Sequence, residues 1–173
     1  MQDEIVNQKV TLSGLTPHPR NYNAHDDGQI GDLRASLRKF GQVRSIVVQA
    51  VEGRQDDGVP RHLIVAGHGL VSAARLEKYT TLRADVIPAE WDAPKVLAYL
   101  AADNELARQG SPDEAQLAAI VAELSAANEV ELARLAAGNA ERLKELLAAN
   151  DLAVNGQGDA EPQIDRAAEL NEK

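Results

Sequence analysis

The sequence contains no cysteine, which excludes disulfides, thiolate metal sites and thiol catalysis. Aromatic residues make up only 3 %, with one Phe, one Trp and three Tyr, so any core must be aliphatic. Ala and Leu carry most of the apolar weight, which favours helix. No apolar run approaches the roughly 18–20 residues that span a bilayer. Residues Met1 to Glu4 lack a basic n-region and an apolar segment, so no secretory leader is expected and a cytoplasmic location is the default. Neither Gly-Lys-Ser/Thr nor Gly-x-Gly-x-x-Gly occurs, so the common triphosphate and dinucleotide fingerprints are missing.

Positive charge is scarce in the last third. Residues 1–110 hold 13 Lys+Arg against 14 Asp+Glu, whereas residues 111–173 hold 5 against 13. An acidic chain is a poor non-specific ligand for duplex DNA, because phosphate neutralisation dominates that affinity. The near-neutral first part can still carry a local site for a nucleotide or for DNA.

What is present is organised in two textures. Up to about residue 110, β-branched runs alternate with turns and amphipathic segments; after Gly110-Ser111-Pro112 the chain is rich in Ala, Leu and Glu. Strands are expected at Val10–Leu12, Ser45–Val51, His62–Ala66 and Leu82–Ile87, with an irregular Pro- and Asn-rich loop at Thr16–Asn23. Helices are expected at Gln29–Phe40, about Leu70–Lys78, and from Asp92 to about Arg108. Ile30, Leu33, Leu37 and Phe40 share one face of the first, and Asp26 or Asp27 caps it. Three more helices follow at Pro112–Ala127, Glu129–Ala137 and Asn139–Ala149, with Leu117, Ile120, Val121 and Leu124 on one face. The expected fold class is α+β: a small mixed sheet flanked by helices over 1–110, an all-α subdomain over 111–150, and a flexible tail over 151–173. Those acidic helices are not expected to read a DNA groove.

Three runs could carry chemistry. Gly67-His68-Gly69 lies between a strand and a helix, where glycines admit a ligand to the backbone and the first helical N–H groups attract phosphate. The bland reading, a tight turn, fits equally well. Gly41-Gln42, between a helix and a strand, either lines a cleft or merely caps the helix. Asp103-Asn104, near a helix end, either binds a cation and a ribose or forms a solvated face. The four histidines have no metal-ligand spacing, and of them only His68 is placed to touch a ligand.

Taken in order, these runs resemble the N-terminal domain of the ParB family, in the ParB/sulfiredoxin superfamily. The resemblance runs from Pro17-His18-Pro19-Arg20-Asn21-Tyr22-Asn23 through Phe40-Gly41-Gln42, Ile46-Val47-Val48, Ile64-Val65-Ala66-Gly67-His68-Gly69 and Ala73-Ala74 to Ala102-Asp103-Asn104. It covers about residues 8–110. Gly67-His68-Gly69 and Ala102–Ala107, with the tail Glu161–Lys173, look like ParB-like domains that precede a DNA methyltransferase in phage and bacterial proteins. No methylase motif is present in this chain.

The resemblance implies a nucleotide-binding cleft lined by Gly41, Gln42, Gly67, His68, Gly69, Ser72 and Asn104. It further implies a divalent cation such as Mg2+ at Asp103, and CTP or ATP as the nucleotide. DNA bound through 1–110, a homodimer, and a C-terminal methyltransferase domain are the implied partners. The implied role is a nucleotide-sensing or DNA-associated module of a DNA-modification system, non-catalytic in itself. The alternatives are a nucleotide-dependent enzyme of the same fold (a hydrolase, small-molecule kinase or nuclease) and an interaction module that pairs through its Ala/Leu helices. Sulfiredoxin activity is excluded by the missing cysteine. Gly67-His68-Gly69-Leu70 stands where segregation-type relatives read Gly-Glu-Arg-Arg, so the triphosphate-binding arginines are missing at Gly69 and Leu70, and Ser45 replaces a proline.

Overall fold

A computed structural model describes residues 4–54, 58–88 and 90–156. The chain divides into two compact units, Met1–Ser111 and Pro112–Lys173.

The first unit is built on a five-stranded mixed sheet in the order β1-β5-β3-β4-β2. Its strands are β1 (Val6–Thr11), β2 (Leu15–Pro17), β3 (Ile46–Arg54), β4 (Pro60–Ala66) and β5 (Thr81–Ile87). β1 runs antiparallel to β5, β5 parallel to β3, β3 antiparallel to β4, and β4 parallel to β2. Side chains alternate across a strand, and here both faces are apolar. On one face Ile46, Val48, Ile64, Leu82 and Ala84 are buried under α1 (Asp27–Phe40) and α2 (His68–Leu76). Ala73 and Ala74 of α2 are fully buried there; their small side chains let the helix lie close to the strands. On the other face Val65 and Ile87 pack with Val96 and Leu100 of α3 (Ala93–Gln109), and Trp91 and Tyr99 close the edge.

Local signals place the helix ends. The Asp26 carboxylate accepts the Gln29 N–H at 2.7 Å and Asp92 accepts the Lys95 N–H at 2.9 Å, each satisfying an orphan donor of a first turn. Gly41 ends α1 at a positive φ of +67°, a backbone angle that glycine adopts without steric cost.

Several expectations are corrected. β1 covers Val6–Thr11 rather than Val10–Leu12, and Leu12 lies in a short 3-10 turn. Leu15–Pro17 is a strand although Thr16 was expected to open a loop: β4 offers a free edge, and Pro17 sits at the strand's end, where no ladder is interrupted. α2 begins at His68, two residues earlier than expected, with Gly67 as its cap. Phe40 is exposed while Ile30, Leu33 and Leu37 pack inward.

The second unit contains α4 (Glu114–Ala126), α5 (Val130–Ala137) and α6 (Ala140–Gly156). Ala118, Val121, Ala133, Ala137 and Leu146 form its core, with Leu117, Leu124, Leu143 and Leu147 around them. Ile120, expected on the inner face, is exposed. α6 does not stop at Ala149 but continues through Gly156, so the first residues of the expected tail are helix; from residue 157 onward that tail lies outside the described residues. No helix among the described residues is long and apolar enough to cross a membrane.

Candidate functional site

The β4-to-α2 connection is a tightly constrained turn of the first unit. Gly67 has φ +90°, and a Cβ there would lie 2.8 Å from Ile46 Cγ2. Both the left-handed backbone and the contact with β3 require glycine. The chain then enters α2, whose residues 68, 71, 72 and 75 fall on one side, as the 3.6-residue period dictates.

That side of α2 is one wall of an open pocket of about 240 Å³. His68, Val71, Ser72 and Arg75 come from α2; Pro17, Asn21, Asn23 and His25 come from the segment between β2 and α1; Ile30 and Ile64 form the apolar floor. The volume falls below the roughly 300–1,000 Å³ of sites that enclose drug-sized ligands. It suits one portion of a nucleotide, such as a phosphate or a sugar, rather than the whole.

The β2–α1 segment is held at both ends. The His18 backbone N–H donates to His68 Nε2 at 3.4 Å. At the other end Asn23 Nδ2 donates to Asn104 Oδ1 at 2.5 Å, and the Tyr22 hydroxyl donates to Glu105 at 3.0 Å. Within the pocket Arg75 donates to the Leu15 carbonyl at 2.6 Å, and the Ser72 hydroxyl donates to the His68 carbonyl at 3.1 Å. His25 Nδ1 lies 2.9 Å from Gln29 Oε1.

Electrostatics here favour neutral imidazoles. Burial pushes the His68 pKa below the ordinary histidine value; repulsion from His25 and His18 lowers it further, against a hydrogen bond to the Ile64 backbone that raises it. Burial, then the Arg20 charge, lowers His18. Since Nε2 of His68 accepts the His18 N–H, the geometry corresponds to the tautomer protonated on the other ring nitrogen.

The residues singled out in the sequence are thereby sorted. His68 and Ser72 line the pocket; Asn104 reaches it through Asn23. Gly67 caps the wall helix without lining the pocket. Gly69 is buried in the packing of α1 on α2: a Cβ there would meet His25 Cε1 and Leu33 Cδ1, each at 3.0 Å. Gly41 and Gln42 do not line the pocket. The Gln42 side chain accepts the Arg83 N–H at 2.7 Å and donates to the Arg83 carbonyl at 2.8 Å, so its amide extends the sheet ladder alongside β5. Leu70 packs against the core cluster, as an apolar residue there should.

Asp103 is exposed and lies near Tyr99, whose pKa is raised by burial and then by the Asp103 and Asp85 carboxylates. No group of three or more His, Cys, Asp or Glu that could hold a metal occurs among the described residues. One exposed carboxylate does not amount to a protein-built cage for Mg2+, which demands near-ideal octahedral geometry. Sequence reasoning missed Asn23, His25 and Arg75. Their only signal was indirect: Asn23 falls in a Pro- and Asn-rich loop, and Arg75 stands seven residues after His68, two helical turns along the same side.

No protein-family model and no curated protein matches the chain. Among solved structures it is similar to the C-terminally truncated chromosome-partitioning protein ParB from Caulobacter crescentus complexed with CTP-gamma-S. The TM-score is 0.64 and the identity 18 %, over 90 % of this chain and 88 % of that one. Looser likenesses are the same protein complexed to the centromeric parS site (TM-score 0.43, 18 % identity, 87 % and 78 % covered) and sulfiredoxin from Arabidopsis thaliana (TM-score 0.42, 16 % identity, 56 % and 97 % covered). The mixed sheet and its flanking helices are accordingly those of a ParB-like fold, the fold that the ordered motifs between Pro17 and Asn104 imply.

Proposed function

We propose that the first unit is a nucleotide-binding module of ParB type, in which the pocket beside α2 receives a phosphate-bearing part of the nucleotide. The observation that carries this reading is the lining of the pocket. It gathers amide, hydroxyl, imidazole and guanidinium groups around an apolar floor and includes no carboxylate. Such a site accepts an anion and repels nothing negative. The similar ParB structure holds CTP-gamma-S, which makes CTP the first nucleotide to test, with ATP second.

His68, Ser72, Asn23 and Arg75 supply the polar contacts, with Asn104 holding Asn23 in place. Gly67 and Gly69 shape the wall and bring α2 close to the sheet and α1. Any Mg2+ enters with the nucleotide's own phosphates, and Asp103 is the residue the motif resemblance assigns to it. We place the protein in the cytoplasm as part of a DNA-modification system, with DNA reached through the 1–110 unit and a methyltransferase as its associate. That part of the reading rests on the motif resemblance alone.

Calorimetry of the full chain against CTP, ATP and GTP with magnesium tests it. Binding of one or more, weakened by Asn23→Ala and by Ser72→Ala, supports the module. No affinity for any of them at millimolar concentration removes the nucleotide reading. The pairing reading through Ala/Leu helices would then gain weight if the mass of the chain rises with concentration.

A further inference from the structure

The pocket wall is unusual in what it offers an anion. Its one fixed cation, Arg75, bonds the Leu15 carbonyl, and Nε2 of its central imidazole is already engaged by the His18 N–H. As folded, neutral His68 accepts the His18 N–H at Nε2, and the Ile64 backbone acts on the ring in the direction that raises its pKa. At Nε2 it offers a ligand no donor.

Protonation changes this. A hydrogen on Nε2 faces the His18 backbone N–H, and two donors then converge on one point. That arrangement is unfavourable unless an acceptor sits between them, and a phosphate oxygen is such an acceptor, gaining charge-assisted hydrogen bonds. We infer that the pocket binds the phosphate of its ligand together with one proton, taken up from solvent at His68. The inference rests on the nucleotide reading and specifies how that site is regulated. No bond in the ligand is made or broken; the proton stays on the imidazole while the anion is bound.

The charges around His68 support this from each side. The β2–α1 segment brings His18, Arg20 and His25, all cationic or able to become so. α2 brings Arg75. β4 contributes only the Ile64 backbone. At the start of α1 the Asp26 carboxylate is occupied in capping the helix at Gln29, with Asp27 beside it, and on α3 Glu105 is bonded to Tyr22. No carboxylate lines the pocket to neutralise an imidazolium. The ligand itself has to be the counter-charge, and by linkage a group protonated only in the complex makes affinity rise as pH falls.

The test uses the full chain and CTP with magnesium, at pH 7.5 and pH 6.0, for the native protein and for His68→Gln. Glutamine keeps a donor in the same place without titrating. The native affinity is expected to rise about thirtyfold more than that of the variant across this interval, the fold-change that uptake of one proton gives over about one and a half pH units; titration of the nucleotide itself is common to both and cancels. Independently, the native binding enthalpy measured near pH 7 in two buffers of different ionisation heat should report uptake of close to one proton. Binding with no proton uptake, or with equal pH dependence in both proteins, overturns the inference and leaves the nucleotide reading standing. Absence of binding at both pH values overturns both. If the variant fails to fold by circular dichroism, the buffer pair decides alone.

Discussion

The two units are held together by different means. In the sheet unit, the larger cluster buries twelve residues, mainly Val, Leu and Ile, and a second cluster lies on the opposite face of the sheet. In the helical unit five residues are buried in the core cluster, and three of them are alanine. Buried apolar area sets the driving force, so alanine contributes little, and the helical unit depends on Val121, Leu146 and the half-buried leucines around them. Histidine is divided as sharply: all four lie in the sheet unit and none in the helical one. The unit with the deep core is also the one that draws histidines into its interior, because a well-supported framework tolerates a buried imidazole.

Truncation in the two cores breaks the comparison most strongly. Leu82→Ala should cost about 3–5 kcal/mol, measured by chemical denaturation of the sheet unit, because Leu82 is only 1 % exposed. Leu146→Ala should cost less, about 2–3 kcal/mol, because neighbouring helices can close on the smaller side chain. Amide exchange in α4, α5 and α6 would reveal it as loss of protection there. Equal costs would show that the alanine-rich core is as unyielding as the sheet core.

Next in size is Gly67→Ala. Strain at φ +90° and the contact with Ile46 should destabilise the sheet unit by about 2–4 kcal/mol. A melting temperature unchanged from native would disprove the constraint.

Acid separates the units at a smaller scale. His62 is buried, its Nδ1 has no hydrogen-bond partner among the described residues, and burial lowers its pKa. His18 and His68 are lowered too. Groups with depressed native pKa values bind more protons when unfolded. Their contribution is therefore complete above the unfolded value of 6.5 and is lost as pH falls from 6.5 toward the native values. The sheet unit should lose stability below pH 6.5 by at most about 1.4 kcal/mol per pH unit for each histidine. The helical unit should show no such step, and an equal step in α4–α6 would contradict the assignment. Smallest is Asp113→Ala. It removes the carboxylate that accepts the Ala115 and Gln116 N–H groups, a loss of about 1 kcal/mol visible as fraying at the start of α4.

Much of this was legible because local chemistry and fold agree. Asp26, Gly41 and Asp92 mark their helix ends unaided, and the β-branched runs at 46–48 and 64–65 become strands packed into the core. β2 was not legible, since three residues ending in proline have no periodicity and exist as a strand only because β4 is there to pair with. The pocket was half legible. His68 and Ser72 sit in a motif, whereas Asn23 and Arg75 meet only through tertiary packing. Gln42 shows the opposite failure: a conspicuous polar residue in a loop is engaged with the Arg83 backbone.

The pairing of Val6 with Val86 has a consequence for how the chain comes into being. The outermost strand of the sheet has its partner some eighty residues downstream, so during synthesis it must wait, extended and unpaired, until Ile87 has emerged. The helices after Pro112, by contrast, are made from neighbouring residues and can form as soon as they appear. The interval between the emergence of β1 and of β5 is thus the window in which the nascent chain is most open to capture by chaperones or by mispairing.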